Sequence, residues 1–356
     1  MTDLPFHITA RTKRNVRTII LTSFVCTVVG SIYLAFKKDF QSFAFYMGAI
    51  DGFIIGFIAT LFEVLFFNSI GKRWRFLNLL FLRTIFYVLL ISTAIIFISL
   101  WQRSMLFNIS FSEVYGSAEY QKYLWDGDFY KDVTFVIIAL LLINFIRQIN
   151  KLLGQNSLLN YITGKYHHPK EEERAVMFLD LKSSTSIAEK LGDKNYHRFL
   201  SDFFFDITPA ILDSKGEIYQ YVGDEVVITW NKKDCVSRNE CIYCFLRINV
   251  AIQIRAEKYL QKYGFIPEYK AGIHYGKVIA GEIGDAKKEI IFSGDTLNTT
   301  ARIRSECKNY GKDLLISTEL LKAMTLNESL TPEFIDKIRL RGKEQEIELY
   351  TIKEAL

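Results

Sequence analysis

Apolar residues keep two different rhythms along this chain, and the change comes near residue 146. Before it they run in long blocks. After it they recur every second position, or every third to fourth, between charged stretches. Four blocks, 16–36, 43–67, 85–100 and 133–145, approach the roughly 20 helical residues that cross a bilayer, the last two by borrowing from their flanks. The first block is too long, too basic at its start and too continuous for a cleaved leader. Segment 101–131 carries Tyr115, Tyr120, Tyr123, Trp125 and Tyr130 and reads as a short outer loop with its aromatics in the interfacial belt. Asp51 and Glu63 fall inside the second block, where a carboxylate either senses a ligand, proton or cation or faces the bundle beside neighbours such as Ser31 or Tyr46. From 147 to 173, Ile149, Leu152, Leu153, Leu158, Leu159 and Ile162 recur near helical spacing. They predict a continuation of the fourth helix that pairs with its copy in a dimer and breaks at Gly164, His168 and Pro169.

Beyond 174 strands and helices interleave. A run of Val, Met, Phe and Leu predicts a buried strand over 174–180, followed by a helix over 186–191 that Ser183, Ser184 and Thr185 could cap. A helix over 195–212 turns Phe199, Leu200, Phe203, Phe204 and Ile207 inward. Strands 217–221 and 226–230 form a hairpin around Gly223-Asp224-Glu225. One long amphipathic helix is expected over 240–261, and a second hairpin, 269–274 with 277–283, around Tyr275-Gly276. That places His274 on a hairpin surface or at an interface. A strand over 288–292, a helix over 296–306 and a hairpin loop at Arg341-Gly342-Lys343 before a strand at 347–352 complete the pattern.

Composition sharpens this division. The chain has 356 residues, room for about two domains. Half of its residues are hydrophobic although 23% are charged, so the apolar ones must cluster, as they do before 146. The charges orient the blocks. Arg11, Lys13, Arg14 and Arg17 precede the first, Lys72, Arg73, Arg75 and Arg83 separate the second from the third, and Arg147 and Lys151 follow the fourth. Glu113, Glu119, Asp126, Asp128 and Asp132 lie between the third and fourth. By the positive-inside rule both termini face the cytoplasm of a multi-pass inner-membrane protein. The net charge of +5 comes with no basic stripe carrying interleaved aromatics, so nucleic acid is not an expected partner. Cys241-x-x-Cys244 has no second pair and no histidine nearby, and reads as ordinary helix thiols.

Candidate chemistry gathers in the last half. Asp180 and Asp224 each stand where an apolar strand stops, as in sites that hold two hard cations against a triphosphate. Lys182, Ser183, Ser184 and Thr185 follow Asp180 at a helix N-terminus, a natural anion site. Asn298 and Arg302, four apart in Gly294-Asp295-Thr296-Leu297-Asn298-Thr299-Thr300-Ala301-Arg302, share one helix face. Such a face can orient a sugar and neutralise a pentavalent phosphorus.

Taken together, from Tyr166 onward these residues resemble the catalytic domain of the class III nucleotidyl cyclases. The resemblance implies an α+β, ferredoxin-like βαββαβ domain over 174–356, preceded by an α-helical transmembrane bundle over 1–146 and a signalling helix over 147–173. It implies two Mg²⁺ or Mn²⁺ ions held by Asp180, Asp224 and the Leu181 main chain. The turn from Leu181 to Thr185 and Arg341 would hold the phosphates. Asn298 would orient the ribose, and Arg302 would stabilise the transition state. ATP is the substrate the family most often uses. A homodimer is implied as well, because in the family one monomer supplies the aspartates and the other the Asn and Arg. Two positions depart from the pattern: Gln220 stands where the family has a purine-reading lysine, and Ile291 where it has Asp, Thr or Cys. A guanylate or pyrimidine nucleotide cyclase of the same fold stays open, as does a membrane receptor that binds nucleotide without turnover. Gly223-Asp224-Glu225 is also distantly similar to the GG(D/E)EF signature of diguanylate cyclases.

Overall fold

The structure, a computed structural model, describes residues 10–37, 40–67, 76–154, 157–339 and 346–354. The chain forms two compact units, Met1–Ile149 and Asn150–Leu356.

The first unit is helical: α1 (Ala10–Lys37), α2 (Ser42–Phe62) with a π-helical extension Glu63–Phe67, α3 (Phe76–Phe107), the short α4 (Phe111–Gly116) and α5 (Ala118–Trp125), and α6 (Asp128–Leu153). Stretches 15–37, 42–66, 82–107 and 128–150 are long and apolar enough to cross a membrane. Segment 101–131 is not a plain loop. Ser110 and Glu113 form a capping box that starts α4, and Ser117 caps α5. Local caps rather than apolar periodicity make these two helices. Tyr120 is fully buried, its hydroxyl 2.8 Å from Ser99 Oγ.

Glycines set the closeness of α1 to α2. A Cβ on Gly30 would lie 3.0 Å from Gly52 Cα, and one on Gly48 would lie 2.9 Å from Ser31 Cα, so the two backbones touch. The carboxylates inside α2 and its extension meet polar side chains of α3. Gln102 donates to Asp51. Glu63 accepts from Tyr87 Oη at 2.7 Å and pairs with Arg83 at 3.1 Å. Ser31 instead donates to the Thr27 carbonyl. A cavity of about 300 Å³ lies among α1, α2, α3 and α6, with Gly48, Asp51, Gln102 and Asp132 in its lining.

The second unit begins with α7 (Ser157–Ile162). The helix expected to run on from the fourth span is divided: α6 stops at Leu153 and Gly154 takes φ +93°. There follow β1 (Lys170–Leu181), α8 (Ser184–Leu191), α9 (Asp193–Asp213), β2 (Glu217–Val222), β3 (Glu225–Asn231), α10 (Lys232–Val236), α11 (Glu240–Gln253), α12 (Ala256–Tyr263), β4 (Tyr269–Ile283), β5 (Glu289–Ser293), α13 (Asp295–Glu306), β6 (Leu314–Ser317), α14 (Thr318–Ala323), β7 (Leu330–Arg339) and β8 (Glu346–Glu354). The strands make one sheet in the order β2-β3-β1-β4-β6-β8-β7, with β5 paired to β4.

Two expectations fail here for physical reasons. The helix over 240–261 breaks at Ile254 and Arg255, where Arg255 turns its guanidinium to the Ala251 carbonyl and to Asp206 at 3.1 Å. The hairpin around Tyr275-Gly276 does not exist: β4 is continuous for 15 residues and pairs with β1 along its length. Strand alternation sorts the sheet's side chains. Ala175, Met177, Leu179 and Leu181 enter the main core with Phe199, Phe203, Ile207, Ile248 and Tyr259 from the helices. The even-numbered residues of β1 point to the opposite face.

Candidate active site

Arg174, Val176, Phe178 and Asp180 pair across to Gly276, His274, Gly272 and Lys270 of β4. Asp180 also pairs with Glu225 of β3. Two glycines on this face let α13 settle onto the sheet. A Cβ on Gly276 would meet Thr296 Oγ1 at 2.6 Å, and one on Gly272 would meet Arg304 Cα at 2.8 Å. Thr296 and Arg304 are separated by about 12 Å of helix rise. Gly276 and Gly272 are separated by about 13 Å of strand. The two spacings match, so the helix is clamped to β4 near both ends. Gly276 is thus a close-approach glycine and no turn residue.

His274 shares this face. It is buried, with Nδ1 2.7 Å from Ser317 Oγ, which corrects the expected surface position. Pairing of β4 with both β1 and β6 encloses it.

The carboxylates meet at the end of β1. Gly223 takes φ +62° in the Gly223–Asp224 turn that joins Val222 to Glu225. Asp224 comes within hydrogen-bonding reach of Asp180. Burial pushes the Asp180 carboxyl above its ordinary range; Arg304 pulls it back, and the charge of Asp224 pushes the same way as burial. Burial raises Glu225 likewise, again against Arg304. Arg304 Nη1 donates to Asp180 Oδ2 at 2.9 Å, and its Nη2 lies 2.8 Å from Glu225 Oε2. Lys270 Nζ is 3.6 Å from Asp180 Oδ2. Three acids and two bases therefore crowd one corner.

Sequence reading missed Arg304 and Lys270 as members of this corner. No local pattern marks them; only the β1–β4 register and the clamp on α13 bring them to Asp180.

Asp180, Asp224 and the main chain at Leu181 form an all-oxygen donor set, which suits a hard cation such as Mg²⁺ or Mn²⁺. Among the described residues no three His, Cys, Asp or Glu side chains close into a cage. A cation held here would fill its shell with water and phosphate oxygens, as Mg²⁺ habitually does.

The turn after Asp180 is partly as expected. Lys182 N donates to the Glu268 carbonyl at 2.9 Å, and Ser183 adopts φ +54° at the start of α8. Ser183 makes no side-chain cap, however. Ile187 N is bonded to the Ser183 carbonyl, so Ser184 and Thr185 stand in the open first turn. The Lys182 ammonium goes elsewhere, to Asp313 at 2.5 Å and Glu268 at 3.7 Å. Asn298 is exposed and Arg302 half-buried on α13, and neither joins the aspartates of its own chain. Gln220 is exposed on β2, and Ile291 is half-buried on β5. Their strands meet one residue away, where Phe292 N donates to Tyr219 Oη at 3.1 Å. Arg341 lies outside the described residues. Cys241 and Cys244 are buried thiols of α11, with Cys241 Sγ 2.9 Å from Cys235 Sγ.

Residues 166–354 match the family described as the Adenylate and Guanylate cyclase catalytic domain. Over 208 residues the chain is 34% identical to "Adenylate cyclase 2" of Rhizobium meliloti (strain 1021), which takes in 58% of this chain and 57% of that protein. It is 26% identical over 188 residues to "Adenylate cyclase" of Anabaena cylindrica, covering 50% of this chain and 36% of that one. The chain thus spans little more than half the length of the first relative and about a third of the second. A solved bacterial light-regulated adenylyl cyclase shares the fold, with a TM-score of 0.53 at 20% identity over 61% of this chain and 63% of that one.

Proposed function

Because this chain belongs to the adenylate and guanylate cyclase catalytic-domain family, we propose that it is a membrane-anchored adenylate cyclase, converting ATP to 3′,5′-cyclic AMP and pyrophosphate. The observation that carries the reading is the convergence of Asp180 and Asp224 at the strand ends, with Asn298 and Arg302 facing outward on α13. Asp180, Asp224 and the Leu181 main chain would hold two divalent cations. When bound, these would neutralise triphosphate charge and acidify the ribose 3′-hydroxyl.

The chain's own residues do the rest. The open amides at the start of α8 and Lys270 face the phosphates with fixed positive ends. Asn298 orients the ribose, and Arg302 meets the charge that develops on the α-phosphorus as the 3′-oxygen attacks in line. Most of the acceleration would come from positioning and charge neutralisation. Arg302 makes no ion pair within its own chain among the described residues. That supports a homodimer in which each copy completes the other's site. The four apolar helices support a multi-pass membrane anchor, and the basic residues flanking them support cytoplasmic termini.

Base choice is the open part of the reaction. Gln220 can donate and accept at a base edge, whereas Ile291 can do neither, so guanylate or pyrimidine cyclisation is the second reading. The test is to give the purified full-length chain Mn²⁺ with ATP, GTP, CTP or UTP singly and identify products by mass. Cyclic AMP from ATP alone is the expected result. A different cyclic nucleotide would move the substrate within the family, and no product from any of the four would leave a nucleotide-binding receptor.

A further inference from the structure

Arg304 makes the closest cationic contacts to the carboxylates of the site. Its guanidinium reaches Asp180 Oδ2 with one nitrogen, at 2.9 Å, and Glu225 Oε2 with another, at 2.8 Å. One planar group thus ties the end of β1 to the start of β3, on either side of the Gly223–Asp224 turn. We propose that Arg304 is a built-in counter-cation of the metal carboxylates: it holds Asp180 and Glu225 together before metal binds, and leaves by side-chain rotation as a divalent cation enters. This rests on the reading of Asp180 and Asp224 as metal ligands.

Charge is the first reason. Asp180, Asp224 and Glu225 lie together in a partly buried corner, where like charges repel strongly. Lys270 faces them from 3.6 Å, too far for a hydrogen bond. Arg304 supplies the close compensation. The fork of a guanidinium is also what the geometry needs, since it serves two carboxylates at once where an ammonium is a point charge.

The backbone is the second reason. Arg304 sits where α13 presses on Gly272, its Cα within 2.8 Å of where a Cβ there would be. One turn on, Cys307 Sγ contacts the Ala271 carbonyl at 3.3 Å. The helix is pinned at this point, so it cannot withdraw to clear the carboxylates. The Arg304 side chain is 24% exposed, which leaves it a route to solvent. A metal ion must therefore displace the guanidinium alone, against two ionic contacts. The first cation then binds more weakly than Asp180 and Asp224 would bind it without the guanidinium in place.

The mechanism uses Arg302, two residues away, differently. Arg302 makes no ion pair in its own chain among the described residues, while Arg304 is occupied within it. The two arginines divide the helix between a neighbour's site and its own.

The test is Mn²⁺ binding to the full-length chain without nucleotide, read by the loss of the free Mn²⁺ electron paramagnetic resonance signal and by the Mn²⁺-induced rise in melting temperature. Arg304→Met keeps the length and removes the charge. It should bind Mn²⁺ about tenfold more tightly than the native chain, the scale set by losing a charge-assisted contact. Its melting temperature should start lower and rise further on Mn²⁺ addition. Arg304→Lys, which cannot bridge, should fall between the two. A purely structural Arg304 would lower the melting temperature and leave Mn²⁺ affinity unchanged; that result, or weaker binding, overturns the proposal. If Arg304→Met fails to fold, Arg304→Lys decides, with affinity equal to or below native sinking the idea. Asp180→Asn separates the two layers. It should abolish binding; if it binds Mn²⁺ as the native chain does, the metal reading fails and takes this proposal with it. If only the Arg304 variants are unchanged, the metal reading stands alone.

Discussion

Arg302 and Arg304 show how differently two like residues on one helix can be employed. Arg304 is paired to Asp180 and Glu225, whereas Arg302 is half-exposed with no ion pair in its own chain among the described residues. Removing Arg302 should therefore cost rate and not stability. Arg302→Ala is expected to lower kcat about 10²- to 10³-fold with the melting temperature unchanged, measured by cyclic nucleotide formation beside differential scanning calorimetry. Asp180→Ala should abolish turnover while the oligomer persists on size-exclusion chromatography, and retained turnover would reject its assignment. Both residues were legible in the sequence, because each stands in a local pattern: an aspartate ending an apolar strand, an arginine four positions after an asparagine. Arg304 and Lys270 were not, since nothing local distinguishes them from surface cations. Lys182 was legible only in part, because its ammonium is drawn to Asp313 and Glu268, far along the chain.

At the level of elements, the spacing shared by α13 and β4 is what places the helix. Thr296 rests over Gly276 and Arg304 over Gly272. Gly276→Val should force Thr296 off the strand and cost about 1–3 kcal/mol of stability, as overpacking does. Asn298 should lose its place with it, so that KM rises along with the fall in melting temperature. An unaltered melting temperature would mean that the clamp does not set the helix position. Apolar runs and helical spacing foretold β1, β2, β3 and most helices within a few residues, because burial of these elements leaves a local apolar pattern. β4 defeated them. Tyr275-Gly276 looks like a turn to any local rule, and only the pairing with β1 on one side and the packing of α13 above make glycine the residue that a straight strand needs there. The same blindness hid α4 and α5, which are begun by Ser110 and Ser117 rather than by an apolar stripe.

On the scale of the whole molecule, the proposed division of the site between two copies makes a specific claim. Asp180→Ala and Arg302→Ala chains should each be inactive alone. Co-expressed in equal amounts, they should recover about a quarter of native activity, because half of randomly paired dimers are mixed and each mixed dimer keeps one intact site of two. Absence of recovery, with mixed dimers shown by affinity tags, would place all four residues in one copy's site. The four apolar stretches announced themselves in the sequence by length alone, whereas the partners of Asp51 and Glu63 depended on how the helices pack. The outward-facing Asn298 and Arg302 have a further consequence, for dosage. Under the proposed division of the site an isolated copy would be a half-enzyme, so at sparse occupancy output per cell should climb as the square of the number of copies, turning linear only when nearly every copy has found a mate. Such a protein would report its own crowding in the lipid plane, and a modest change in expression would be amplified before any stimulus arrives.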